Sequence, residues 1–323
     1  MKTRDLWLAG ESYAGIYIPT LLFNIDKYNQ GKAQADMINV KGMMVGNGVT
    51  NWTYDTQPAT FNFSYWHALM GQEMWDELNE LQCDFSGINF GRVPPRACLD
   101  LYTKFNNNTS KINMYKIFDP YMKAPTMTKK KSAETLIAGN QLLEVSDLEE
   151  EVVRGFSQRH YTPWMVSPLH KDSEAYFSAL KSPASYLNNA AVRTALHIPD
   201  GHQAYEECNS GTLGFTFIME ERASQYVWEE LKGKYKMMKY SGNIDAVVPT
   251  DGTLGWINSL NRTVVKEWRQ FNSSLTSGQV GGWVEDLDGL TFVSVLGAGH
   301  MVPTDRPVAI KYAISSFING TQF

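Results

Sequence analysis

The chain has 323 residues, 43% of them hydrophobic and 20% charged, enough apolar content to bury a sizeable core and far from the composition of a disordered chain. A formal net charge of −5, from 29 basic and 34 acidic residues, argues against the basic footprint of a nucleic-acid partner. No apolar run approaches the roughly 18 residues of a membrane span, and the length suits one large α/β domain with an insertion, or two smaller domains.

In chain order, Asp5 to Gly10 reads as a strand built on Leu6-Trp7-Leu8-Ala9; the residues before it carry no signal-peptide h-region. Tyr13 to about Gln30 reads as a helix, with Pro19 as a kink and Gly31 as its stop. Ile38 to Val45 reads as a second buried strand, ended by the turn Gly46-Asn47-Gly48. From about 53 to 182 the strand–helix rhythm lapses. That range is rich in aromatics and Asn, with helical patterns at Gln72 to Leu81 and Ala133 to Phe156, and is expected to be an insertion or cap. The runs Lys129-Lys130-Lys131 and Glu149-Glu150-Glu151 read as solvated faces. Helical patterns return at Asn188 to His197 and Ala223 to Leu231, followed by a strand at Tyr235 to Tyr240. Thr253 to Phe271 carries helical patterns broken by turn residues. Gly281 to Asp286 and Leu290 to Leu296 suit a hairpin across Leu287-Asp288-Gly289, and Pro307 to Asn319 reads as a closing helix.

Three cysteines leave the compartment open. Cys83 and Cys98 suit either a local disulfide or two reduced, buried thiols, and Cys208 is left over. Sequons beginning at Asn51, Asn62, Asn107, Asn108, Asn261, Asn272 and Asn319 lean toward a secreted or lysosomal route.

The chemistry gathers at three turns. Gly10-Glu11-Ser12-Tyr13-Ala14-Gly15 joins a strand to a helix, with small residues around a serine, as in a nucleophile elbow. The literal pattern G-x-S-x-G is missed by one step, since Ala14 stands fifth and Gly15 follows. Asp245 follows a strand in Ser-Gly-Asn-Ile-Asp-Ala-Val-Val-Pro, and His300 follows the last strand in Gly-Ala-Gly-His-Met-Val-Pro. The order Ser, Asp, His is the one an α/β-hydrolase uses. A serine hydroxyl needs a base to become a nucleophile; an imidazole takes and returns the proton, and a carboxylate fixes the imidazole's tautomer.

These motifs, together with Ile16-Tyr17-Ile18-Pro19, Gly46-Asn47-Gly48, Tyr186-Leu187-Asn188, Val192 to His197 and Gly242 to Pro249, resemble the serine carboxypeptidase family, of the carboxypeptidase Y and cathepsin A type, from residue 5 to about 318. The resemblance implies an α/β-hydrolase fold: a mostly parallel sheet with flanking helices, in a single domain over 1–323 with the cap at 53–182. It implies a carboxypeptidase that removes C-terminal residues from peptides at acidic pH through an acyl-enzyme, with a lysosomal, vacuolar or secreted location. An acyltransferase on the same scaffold is the alternative. Ser12, Asp245 and His300 match the triad, and the Tyr13 N–H matches an oxyanion donor. Glu11 matches the acid that holds the substrate's terminal carboxylate, and Met301 a residue near the leaving amino acid's pocket. No metal or organic cofactor is implied. In the family, strands before the elbow carry a second oxyanion donor, an Asn on the substrate carboxylate and the cysteine paired with the position of Cys208. The chain is therefore expected to correspond to the later two-thirds of such an enzyme, and an inactive fragment lacking those strands is the second alternative.

Overall fold

The structure is a computed structural model that describes residues 4–119, 185–205, 219–272 and 278–323. The helical pattern at 133–156, the charged runs at 129–131 and 149–151, and Cys208 lie outside these residues. The contacts divide the chain into two compact units, Met1–Phe118 with Glu220–Phe323, and Asp119–Met219.

The larger unit is built on six strands: β1 (Leu6–Glu11), β2 (Val40–Gly46), β3 (Lys236–Gly242), β4 (Val264–Asn272), β5 (Val280–Leu287) and β6 (Leu290–Val295). Their order is β1-β2-β3-β6-β5-β4. The first four in that order run parallel, and β5 and β4 add an antiparallel edge. The inner parallel strands are apolar on both faces, as a sheet covered on both sides requires. Met43, Val45 and Met237 face a core completed by Leu22 and Ile25 of helix α1 (Ala14–Asn29) and by Val227, Trp228, Trp256 and Ile257. Met44, Met238 and Tyr240 face the other core, with Ile310, Ala313 and Phe317 of the closing helix Pro307–Asn319.

Pro19 lies inside α1, and Gly31, at φ 73°, follows the helix's end at Gln30. The hairpin β5–β6 turns at Asp288-Gly289, with Leu287 opposite Leu290 and Gly289 at φ 76°. One element differs from the sequence reading. The stretch 253–271 is helical only in its first part, Thr250–Ser259; the remainder is β4. Asn261, at φ 47°, turns the chain out of the helix. The residues that follow, Val264, Val265, Trp268 and Phe271, are β-branched or aromatic and pair with β5, a long-range partner that local periodicity cannot reveal.

Within the range 53–119, helices α2 (Gln57–Trp66), α3 (Gln72–Glu80) and α4 (Arg96–Asn108) belong to the larger unit. They close around Phe61, whose ring lies 5.2 Å from Phe85 and 5.1 Å from Phe105. Cys83 and Cys98 form a disulfide that ties α4 to the loop after α3. In the second unit the helix Ala190–Ala195 is capped by the Asn189 side chain, which accepts the Ala191 N–H at 2.9 Å.

The disulfide closes a loop with a sequence separation of 15. Cross-links of that span restrict the unfolded chain by about 3 kcal/mol. Replacing both Cys83 and Cys98 by Ser is expected to lower the unfolding free energy by about that amount, read as a shift in the urea midpoint; coincident midpoints would contradict the assignment.

Candidate active site

Because β1, β2, β3 and β6 are parallel, their carboxyl ends share one edge of the sheet. Ser12 follows β1, Asn47 follows β2, Asp245 lies just past β3 and His300 just past β6. Such an edge is where open α/β sheets place their sites.

Ser12 sits at φ 62°, a left-handed conformation that costs a non-glycine residue energy and persists only where neighbours over-determine it. Its N–H donates to the Gly46 carbonyl at 3.1 Å, and its carbonyl accepts the N–H groups of Gly15 at 2.9 Å and Val49 at 3.1 Å. A Cβ on Gly10 would fall 2.5 Å from the Ala14 Cβ, and one on Gly15 would fall 2.2 Å from the Val49 carbonyl oxygen. The turn therefore tolerates alanine in the fifth position because Gly10 yields the space, and it needs glycine at 15 because the loop leaving β2 presses on α1. Tyr13 opens α1, its ring 5.0 Å from Tyr17 and 6.2 Å from Trp52.

Asp245 is fully buried. One carboxylate oxygen, Oδ2, accepts His300 Nδ1 at 2.7 Å, Asn47 Nδ2 at 2.8 Å and the Val248 N–H at 3.3 Å; Oδ1 accepts the Val247 N–H at 2.8 Å. Next to a carboxylate, Nδ1 carries the proton, which leaves the lone pair of the neutral ring on Nε2. That nitrogen is buried and makes no hydrogen bond among the described residues, so the bond to Ser12 Oγ is not formed in this structure. Hydrogen bonds of this kind are often open without substrate. Burial alone would depress the imidazole's pKa, but the Asp245 charge and hydrogen bond outweigh it and the pKa is raised, with Glu11 and Asp305 adding to the effect.

Glu11, the last residue of β1, is pushed up to about 7 by burial, with Asp245 and Asp305 adding to that and His300 and the Val302 N–H opposing it. It therefore shares one electrostatic environment with the Asp245–His300 pair. Burial and the Glu11 charge also raise Tyr240, whose ring occupies the space that a Cβ on Gly46 would need. Met301 follows His300 directly and caps the short helix Val302–Asp305. No cluster of His, Cys, Asp or Glu among the described residues has the makings of a metal site.

Asn47 is a functional candidate that the sequence reading takes only as a turn residue. It is fully buried at φ 35°, donates to Asp245 and accepts the Gly242 N–H at 2.9 Å, and its own N–H donates to the Tyr240 carbonyl at 2.9 Å. The available signal is its place: a side chain with both a donor and an acceptor, between two glycines, at the carboxyl end of a buried strand.

A parallel sheet covered on both faces, a strained serine turn after one strand and a hydrogen-bonded Asp–His pair after two others define an α/β-hydrolase fold. The family model described as serine carboxypeptidase matches residues 1–320, and the chain belongs to that family. It is 28% identical over 324 residues to the lysosomal protective protein of Mus musculus, covering 98% of this chain and 65% of that protein. It is 28% identical over 320 residues to serine carboxypeptidase-like 34 of Arabidopsis thaliana, covering 99% of this chain and 60% of that one. A solved structure of Kex1(delta)p, a prohormone-processing carboxypeptidase from Saccharomyces cerevisiae, superposes with a TM-score of 0.63 at 19% identity, over 98% of this chain and 62% of that one; at this identity the likeness shows the fold. The chain thus spans roughly three-fifths of the length of these relatives.

Removing the Asn47 side chain leaves the Gly242 N–H without its acceptor and takes a donor from a buried carboxylate. Asn47→Ala is expected to cost about 1–3 kcal/mol of stability. Asn47→Asp, which sets a second carboxylate against Asp245, is expected to cost more. Denaturant midpoints at neutral pH check both; unchanged midpoints would show that the pair does not depend on Asn47.

Proposed function

We propose that the site performs serine-type carboxypeptidase chemistry on the C-terminal residue of peptides. The observation that carries this reading is the Asp245–His300 hydrogen bond of 2.7 Å, on the same sheet edge as a serine held at φ 62°. Ser12 Oγ attacks the carbonyl carbon of the last peptide bond while His300 Nε2 takes the hydroxyl proton. Asp245 stabilises the resulting imidazolium, and the Tyr13 N–H donates to the oxyanion. The C–N bond then breaks, His300 returns the proton to the departing amine, and an ester remains on Ser12. Water, deprotonated by the same imidazole, attacks the ester, and the serine regains its proton as the acid leaves. Relatives bearing carboxypeptidase names and a lysosomal one support the reaction class and a lysosomal, vacuolar or secreted setting. In this reading 1–323 is one hydrolase domain with a cap drawn from 53–182.

Glu11 gives the substrate its end-group selectivity. Two carboxyl groups share a hydrogen bond only when one is protonated, and with a pKa of about 7 Glu11 keeps its proton in mildly acidic solution. The same proton helps the base. Glu11 is one of the charges that hold His300 protonated, so neutralising Glu11 lowers the imidazole's pKa and frees Nε2. The acidic working range follows from this coupling. Met301, beside His300, borders the leaving residue.

Release of the C-terminal amino acid from an N-blocked dipeptide near pH 5 tests the reaction. Ser12→Ala is expected to lower the rate by about 10⁴-fold or more; equal rates would sink the proposal. Added alcohol or amine acceptors diverting most of the product would point to acyl transfer instead. For Glu11→Gln, which is neutral at every pH, the decline of kcat/KM above about pH 7 is expected to disappear and the acid limb to move to lower pH. A profile with the same two limbs as the unaltered protein would remove Glu11 from its role.

A further inference from the structure

One segment of the larger unit grips both loops of the Asp245–His300 pair. In residues 113–117, the Met114 carbonyl accepts the N–H of Ala246 at 2.8 Å, and the Ile117 N–H donates to the Ile244 carbonyl at 3.3 Å, so Asp245 is held on either side. Between these two, the Tyr115 carbonyl accepts the backbone N–H of His300 itself at 2.7 Å. The Tyr115 ring stands edge-on to the imidazole, with centroids 4.9 Å apart and planes at 76°. Lys116 Nζ reaches Asp305 Oδ1 at 3.1 Å, with both side chains largely buried, and Asp305 Oδ2 accepts the N–H of Gly299, the residue before His300, at 2.7 Å. The approach leaves no space for a side chain: a Cβ on Gly299 would fall 2.3 Å from the Tyr115 carbonyl oxygen.

We propose that residues 113–117 form a clamp that fixes the Asp245 and His300 loops at one mutual position, with Lys116 as the positioning residue through Asp305. The chain supplies two carbonyl acceptors and one N–H donor at the spacing these loops require, and the ion pair locks the clamp to the turn behind His300. In the reaction proposed above, on which this assignment builds, Lys116 acts through Asp305 and the Gly299 N–H, and the Tyr115 ring packs against the imidazole. The charges facing His300 come from Asp245 past β3, Glu11 at the end of β1 and Asp305 in the short helix after it. Lys116 offsets the last of these. Opposite deletions at the two ends of the ion pair should therefore move the imidazole in opposite directions, which a purely structural contact would not do.

The test uses the full-length protein and two readouts that need no activity: the His300 titration by NMR and the exchange rate of the His300 amide. Lys116→Met is expected to raise the His300 midpoint by about half a pH unit, because Asp305 then acts without its counter-charge. It is also expected to speed amide exchange by about tenfold as the clamp loosens. Asp305→Asn should move the midpoint down, and Lys116→Arg should restore both values. The acid limb of kcat/KM should follow the NMR midpoint, with kcat affected more than KM. If Lys116→Met fails to fold, Asp305→Asn and Lys116→Arg decide the matter. Midpoints that shift the same way in Lys116→Met and Asp305→Asn, or that do not move, overturn the clamp, as does His300 amide exchange unaltered in a folded Lys116→Met. A Ser12→Ala protein that keeps its peptidase rate would instead sink the reaction proposed above and leave these two readouts standing.

Discussion

A carboxylate with no access to water is tolerated only when its lone pairs are met by donors, and Asp245 is such a group. Its four donors come from three places: the turn after β2 through Asn47, the turn after β3 through Val247 and Val248, and the loop after β6 through His300. The strands must end at matching heights for this to occur. The register delivers it, with Gly46 level with Tyr240 and Gly242 level with Val295. The pattern of buried apolar residues sets that register, since a slip of one would turn Met43 and Val45 out of one core and Met44 into it. The site's geometry is thus a consequence of core burial transmitted along parallel strands.

The serine turn depends on a second anchor. The loop leaving β2 presses on the first turn of α1 through Gly15 and Gly48, where no side chain fits. Lys239, buried in β3, holds that loop from below, its ammonium donating to the Gly48 carbonyl and to Thr50 Oγ1. Burial pulls Lys239 down to about 8, while Asp55, which accepts the Thr50 and Asn51 N–H groups, is pushed up to about 6 by its own burial. Each charge limits the other's shift. Isolated, either would be a costly buried ion; together they fix the loop that carries Asn47 and supports the strained Ser12.

Much of this was legible in the residues. Strands β1, β2 and β3, helix α1, the hairpin and the closing helix announce themselves through apolar runs, Gly stops and the Asp-Gly turn. The three site turns are visible because a side chain presented at a strand end needs small or turn-forming neighbours. What the residues do not reveal depends on pairing at long range. Val264 to Phe271 shows no periodicity that separates a strand from a broken helix until β5 lies beside it. Asn47 and Asp245 are 198 positions apart, and Gly-Asn-Gly is as good a turn without a partner as with one. Met114, Tyr115 and Ile117 hold the two loops through backbone groups, and a backbone contact leaves no mark on residue identity.

Electrostatics joins the parts of the site. Asp245, Glu11 and Asp305 surround one imidazole, and each raises its pKa. For the proposed reaction, in which the imidazole must be neutral to take a proton, three carboxylates around it would be self-defeating if all were ionised together. Burial resolves the conflict at Glu11 by favouring its neutral form until about pH 7, and Lys116 resolves it at Asp305 with a counter-charge at 3.1 Å. Asp245 is the carboxylate hydrogen-bonded to the ring itself, at 2.7 Å, where an imidazolium formed in the proposed reaction would need it. The distribution of protons and counter-charges, more than the presence of three acids, is what lets this edge of the sheet hold a base.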